Sequence, residues 1–244
     1  STYEEITNSN VIDSLKSYDF KQNLTTEGSG INFKFGLIYR PADFFRFGLA
    51  IHTPTWYAMH DDYKNFMTSR FIDGQTYTAE SEDGSFDYEM TTPFKAIGSF
   101  GFIFENMGIL GIDYEMNDYS STRFNSTNYG FFDENKLVQA KYDVTHTFRV
   151  GTEWKYLNLS FRGGVNYTTS PIKSTYTFSG SDYSKIGYSA GIGMKEKNFF
   201  LDLGYLYSQS NQYFQPYSLA LESVPGVTND VTTHNFVITC GFKF

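Results

Sequence analysis

The stretch HNFVITCGFKF, residues 234–244, decides the fold. Phe236, Ile238, Cys240, Phe242 and Phe244 place an apolar side chain at every second position, with Val237, Thr239, Gly241 and Lys243 between them. Successive side chains of a strand point to opposite faces. The stretch is therefore a strand with one apolar face and one small or polar face. The same period of two recurs upstream. Phe199, Leu201, Leu203, Tyr205 and Tyr207 share a face opposite Asp202 and Gly204. Ile186, Tyr188, Ala190, Ile192 and Met194 oppose Lys185, Gly187, Ser189, Gly191 and Gly193. Leu157, Leu159, Phe161, Val165 and Tyr167 form another such face, as do Phe148, Val150 and Trp154. The pattern continues through Leu110 to Met116, Phe94 to Phe104, Phe45 to Ile51 and Ile31 to Tyr39.

That makes nine strands of about ten residues. A strand that crosses a bilayer needs roughly 9–11 residues, whereas strands in globular proteins average about 5–6. The connections alternate in length. Short ones fall at Pro41–Asp43, Asn106–Gly108, Lys155–Tyr156 and Lys195–Asn198. Long ones run over 53–92, 119–143, 169–182 and 209–233. Short turns at one end and long loops at the other are the layout of a bacterial outer-membrane barrel. Tyr39, Tyr114, Trp154, Tyr167, Tyr205 and Tyr207 stand where interfacial girdles are expected. The competing reading is a water-soluble sandwich or lipocalin-like barrel with the apolar face turned inward. The opposite face argues against it, because glycines and charges of both signs would then meet bulk water.

Composition narrows the classes further. The 244 residues include 25 phenylalanines, 20 tyrosines and 2 tryptophans, with a net charge of −8. Aromatics at that density exclude a disordered chain. One cysteine excludes a disulfide scaffold. The acidic balance, without a basic stripe, argues against nucleic acid as a partner. No apolar run approaches the roughly 20 residues of a spanning helix. Ser1 to Asp19 has no basic start followed by an apolar core, so no signal peptide is read there.

Five stretches in order resemble the C-terminal part of the FadL/TodX family of outer-membrane transporters of hydrophobic compounds. They are GSGINFKFGLIYRPADFFRFGLAIHTP (28–54), TTPFKAIGSFGFIFENMGILGIDYEMNDYS (91–120), THTFRVGTEWKYLNLSFRGGVNYTTSP (145–171), DYSKIGYSAGIGMKEKNFFLDLGYLYSQS (182–210) and HNFVITCGFKF (234–244). The resemblance implies an all-β, transmembrane antiparallel β-barrel. This chain would supply about nine C-terminal strands of fourteen. Residues 1–27 are expected to be the end of an extracellular loop, and 28–244 the strands and loops of a single, incomplete barrel domain. The remaining strands and a plug would lie elsewhere, in a separate N-terminal chain of the same protein. The alternative is a complete small barrel whose missing strand comes from 119–143 or 70–90.

The resemblance implies passive uptake of a hydrophobic small molecule such as a fatty acid or an aromatic. The alternative is a structural or secretion-associated barrel that binds a protein partner. Membrane lipid and lipopolysaccharide are the expected surroundings, and no cofactor is implied. In the family, ligands land on an apolar groove of extended extracellular loops. The candidates here are Trp56, Tyr57, Met59, Phe66 and Met67, because aromatics and methionine give an adaptable apolar surface. They could equally anchor the loop or pack it onto itself. Arg40, Arg46, Arg149, Glu153 and Arg162 are expected to face the lumen. There they either pair across strands or offer a ligand carboxylate a bidentate arginine. The closing strand, with Phe236, Phe242 and Phe244, resembles the signal read by the barrel-assembly machinery.

Loop 53–92 carries eight acids against Lys64 and Arg70, which reads either as a solvated loop or as a divalent-cation surface. His60-Asp61-Asp62 is the one His–acid cluster in sequence. Neighbours in a loop do not make a protease site, and no Ser–His arrangement can be read from spacing. No enzyme chemistry is therefore assigned. Cys240 reads as a small hydrophobe.

Overall fold

In chain order the strands are β1 (Thr2–Ile6), β2 (Leu15–Ile31), β3 (Lys34–Ala42), β4 (Phe45–His52), β5 (Trp56–Phe71), β6 (Thr76–Glu80), β7 (Gly84–Thr91), β8 (Lys95–Phe104), β9 (Gly108–Asp118) and β10 (Arg123–Asn125). A helix, α1 (Phe132–Lys141), precedes β11 (Val144–Tyr156), β12 (Leu159–Thr168), β13 (Lys185–Lys195), β14 (Phe199–Phe214) and β15 (Val227–Phe242). The computed structural model describes residues 2–6, 15–105, 107–176, 182–214 and 226–242. Contacts divide the chain into two compact units. One is Ser1–Ile31 with Trp56–Thr91 and Phe124–Phe131. The other is Asn32–Thr55 with Thr92–Arg123 and Phe132–Phe244.

The larger unit is built on a nine-stranded sheet in the order β15-β14-β13-β12-β11-β9-β8-β4-β3. These are the nine strands read from the alternation, each antiparallel to its neighbours. Register lines their side chains into rows. Tyr39, Phe47, Phe100, Ile112, Val150, Val165, Tyr188 and Tyr207 follow one another across the sheet. The adjacent row on the other face runs Arg46, Gly101, Gly111, Gly151, Gly164, Ser189. A shift of one residue in any strand would exchange the two faces, so the agreement over nine strands fixes the register.

No apolar side chain among the described residues is buried. Phe236 is 79% exposed and Ile238 72%. A contiguous apolar face of this extent is far beyond the few hundred Å² that water-soluble monomers leave open. It is the solvation pattern of a lipid-facing wall, and it removes the soluble-sandwich reading. No helix of the described residues is long and apolar enough to cross a membrane.

The apolar face ends in polar-tipped rings at both margins. At the short-turn end Phe104 stacks on Trp154 with ring centroids 5.4 Å apart. At the long-loop end the Tyr114 hydroxyl and His146 Nδ1 share a hydrogen bond of 2.7 Å, and Tyr205 and His234 Nδ1 one of 2.8 Å. Rings with an apolar body and a polar tip suit such margins. The two-residue turn Leu157-Asn158 puts Leu157 at φ 55°, the left-handed backbone that tight hairpins require.

The smaller unit is a second sheet. Among the described residues, the stretch 1–27 holds β1 and most of β2. The stretch 53–92 holds three strands, β5 to β7. They join in a sheet ordered β1-β2-β5-β7-β10, with β6 on β5. β2 reads LKSYDFKQNLTTEGSGI, which carries no apolar stripe on either face, so periodicity was silent there. Its strand form rests on sixteen register pairs with β5. Residues 119–143 do not supply a tenth strand to the large sheet. They give the three-residue β10, which joins the small sheet, and α1. The helix follows helix chemistry, with Asp133 and Glu134 in its first turn and Lys141 in its last.

Candidate functional site

The small sheet is two-faced. Along β5, Tyr57, Met59, Asp61 and Tyr63 point one way, and Trp56, His60, Asp62, Lys64 and Phe66 the other. Register sets Tyr57 opposite Met90 and Met59 opposite Tyr88. The five expected landing residues are therefore not brought together. Tyr57, Met59 and Met67 share one face, and Trp56 and Phe66 lie on the other. Phe66 is taken up by cations, with Lys64 Nζ 5.6 Å and Lys21 Nζ 5.8 Å from its ring centre.

What gathers beside Tyr57 and Met59 is an aromatic cluster that the sequence reading missed. Phe86 and Tyr88 of β7 meet Phe124, Tyr129 and Phe131 of the returning segment. Ring centroids lie 4.9 to 6.5 Å apart. Phe131 sits at φ 47°, a conformation that non-glycine residues hold only when their surroundings over-determine it. Its four ring neighbours do so. The Tyr88 hydroxyl is shifted above the usual phenol range, first by desolvation and then by the nearby Asp61 carboxylate.

The opposite face is acidic. His60 Nδ1 lies 2.7 Å from Asp87 and its Nε2 3.4 Å from Asp62. The hydrogen bond to Asp87 is the main cause of a raised histidine pKa. Both ring nitrogens are occupied by carboxylates, so neither is free to activate a nucleophile. A hollow of about 560 Å³ adjoins, lined by Glu27, His60, Asp87, Glu89 and Asn125 among others. Lys64 is held by Asp83 at 3.2 Å and Glu80 at 3.7 Å, and Asp83 chiefly raises its pKa. Among the described residues no group of three or more His, Cys, Asp or Glu side chains is placed to hold a metal ion.

In the large sheet, Arg149, Glu153 and Arg162 lie on the polar face, in two triads. Glu115 takes Lys95 at 2.8 Å and Arg149 at 2.9 Å. Arg162 binds Glu153 at 2.7 Å and also Asp202. Lys95, Glu115 and Arg149 stand on the consecutive strands β8, β9 and β11, and Glu153 on β11 beside Arg162 on β12, whereas Asp202 on β14 meets Arg162 across β13. Arg40 is different. It pairs with Asp43 in the β3–β4 turn, so its charge is used locally and not in the cross-strand network. Arg46 borders a groove of about 610 Å³ across β3, β4, β8 and β9. On the closing strand, Phe236 packs on Tyr205 and Phe242 on Phe199. Phe244 and Lys243 lie outside the described residues. Cys240 is exposed on the apolar face opposite Leu201.

The family model described as outer membrane protein transport protein (OMPP1/FadL/TodX) matches residues 3–244. Among solved structures, the toluene transporter TodX of Pseudomonas putida is similar at 12% identity and a TM-score of 0.54, over 94% of this chain. A FadL homologue of Pseudomonas aeruginosa is similar at 11% identity and a TM-score of 0.46, over 99% of this chain and 77% of its own. The chain spans 54% of the length of the TodX chain. No curated protein matches it. A transmembrane antiparallel wall of nine strands, apolar on one face and ion-paired on the other, agrees with a family of outer-membrane transport proteins and not of enzymes. The chain belongs to the OMPP1/FadL/TodX family of outer membrane transport proteins.

Proposed function

We propose that this chain forms part of the wall of a channel for passive uptake of hydrophobic small molecules across the outer membrane. The observation that carries the reading is the division of the nine-stranded sheet into an exposed apolar face and a grooved, ion-paired face. The first suits lipid, and the second suits a solvated passage. Strands outside this chain complete the barrel, since β3 and β15 each pair on one side among the described residues. The aromatic face of the small sheet is the landing surface. Tyr57 and Met59 serve there with Phe86, Tyr88, Phe124, Tyr129 and Phe131. Lipid and lipopolysaccharide surround the barrel, and the assembly machinery reads Phe236, Phe242 and Phe244.

The test is uptake of a radiolabelled fatty acid and a radiolabelled alkylbenzene. Cells lacking their own hydrophobic transporters would express the full-length protein. Uptake should rise several-fold for at least one probe. The double variant Tyr88→Ala/Phe131→Ala should lower the initial rate about tenfold, the loss expected when two ring contacts of about 0.5–1.5 kcal/mol each are removed. No uptake of either probe by a folded protein would end the reading and favour a barrel that binds a protein partner.

A further inference from the structure

We infer that two Tyr–His pairs on the apolar face, Tyr114–His146 and Tyr205–His234, seat the phosphate groups of outer-leaflet lipid. The pairs are built alike. Each tyrosine hydroxyl meets its histidine at Nδ1, 2.7 Å away in the first and 2.8 Å in the second. The rings stack in both, with centroids 5.9 and 6.1 Å apart. Each tyrosine stands diagonally across a strand pair from its histidine, since register sets Tyr114 opposite Phe148 and Tyr205 opposite Phe236. The pairs also stand at matching depths. Trp154, stacked on Phe104, lies eight positions beyond His146 along β11, and Phe242, packed on Phe199, lies eight beyond His234 along β15. Each histidine is thus one apolar span, about 27 Å of strand at about 3.4 Å per residue, from an aromatic pair at the short-turn margin. The long-loop margin, where the histidines stand, is the extracellular one in such barrels.

Such a pair leaves one proton for an outside acceptor. If the phenol donates to Nδ1, the ring proton sits on Nε2 and offers a donor away from the tyrosine. If Nδ1 donates instead, the phenol proton is the free one. Nε2 of neither ring has a partner among the described residues. A donor without a protein acceptor, beside an exposed apolar wall, fits a lipid that carries an oxyanion above its acyl chains. Phosphate is preferred to an ester carbonyl, because a hydrogen bond to an ionised acceptor is roughly twice as strong. Charge agrees at the first pair. Lys141 and Lys173 lie beyond His146 on segments joined by a backbone bond of 2.9 Å. The acid beside them, Asp143, accepts from the Val144 N–H at 2.9 Å. At the second pair Tyr207 holds His234 edge-on, with ring centroids 5.4 Å apart.

This inference rests on lipid surrounding the wall and not on uptake, so a channel that carries no probe leaves it standing. The full-length protein is purified in dodecyl maltoside, a detergent without phosphate. Native mass spectrometry then measures binding of diphosphoryl lipid A and of the same lipid stripped of its phosphates. Heat-modifiable migration on gels checks folding. The wild type should hold the phosphorylated lipid at least about tenfold tighter, the scale of one charge-assisted hydrogen bond. His146→Phe/His234→Phe keeps both rings and removes their N–H groups. It should bring the two affinities within about threefold of each other and leave binding of the stripped lipid unchanged. His146→Gln/His234→Gln, which keeps a donor, should retain part of the preference. Inorganic phosphate at the same concentration should not compete, and if it does, the seats take phosphate and not lipid, and the inference fails. Equal affinities in the wild type, or a full preference in the folded His→Phe variant, refute the seats while the channel stands. If that variant does not fold, Tyr114→Phe/Tyr205→Phe decides, and a wild-type preference there refutes the pairs equally.

Discussion

At the scale of the residue, His60 gives the small sheet a response to pH. Its ring joins Asp87 on β7 to Asp62 on its own strand, with Glu27 of β2 and Glu89 of β7 also at hand. The hydrogen bond to Asp87 raises its pKa above the ordinary value of 6.5, with the Asp62 charge assisting. A group whose folded pKa is raised contributes stability that is complete below the unfolded value. That contribution is lost as pH rises through the folded value. Above it the ring is neutral and the carboxylates repel one another without compensation. Amide exchange in β5 and β7, corrected for intrinsic rates, should therefore be slower at pH 5.5 than at pH 8.5. His60→Gln should abolish the difference. Equal protection at both pH values in the wild type would show that the ring contributes nothing.

At the scale of the element, legibility followed the solvent each strand meets. The nine strands of the large sheet were readable because each has lipid on one side and a polar face on the other. Two solvents write a period of two. β2 (LKSYDFKQNLTTEGSGI) alternates no apolar side chains along either face, and α1 (FDENKLVQAK) has no apolar stripe, so neither left a periodic trace. The faces of Arg149, Glu153 and Arg162 were legible from parity. Their partners were not, since Asp202 is forty positions from Arg162 and register brings them together. The aromatic cluster was hidden for the same reason, because Phe124 to Phe131 is far from β7 in sequence. β11 offers a direct test of the two-solvent account. Val150 lies midway between His146 and Trp154 on the apolar face, and Gly151 points the other way. In lipid vesicles Val150→Arg should destabilise the barrel by about 2–4 kcal/mol, the cost of a cation near the midplane. Gly151→Ser, whose Cβ has 4.0 Å to the nearest atom, should change stability by less than about 0.5 kcal/mol. Denaturant unfolding of both variants measures the difference, and equal effects would mean that the apolar face is not in lipid.

At the scale of the whole molecule, the girdles define how much of the chain the bilayer covers. From His146 to Trp154 the chain advances eight residues along β11, about 27 Å at about 3.4 Å per residue. A tilt of about 40° reduces this to about 21 Å along the membrane normal, close to the roughly 25 Å apolar band of an outer-membrane barrel. The two tryptophans then report different surroundings. Trp154 stacks on Phe104 at the margin of the apolar face and is 45% exposed there. Trp56 begins β5, on the acidic face of the small sheet. Single-tryptophan variants, Trp56→Phe and Trp154→Phe, keep an aromatic ring at each site, and the full-length protein carries them into vesicles of brominated lipid. Other tryptophans are replaced by phenylalanine in the same background. Fluorescence of Trp154 should fall by at least about half, because bromine atoms reach a ring at the lipid boundary. Fluorescence of Trp56 should change far less. Its face of β5 carries Asp62 further along, and a carboxylate drawn into the hydrocarbon costs about 2.5–3.5 kcal/mol. Equal quenching of both rings would place the small sheet in the membrane and would overturn its assignment as a landing surface.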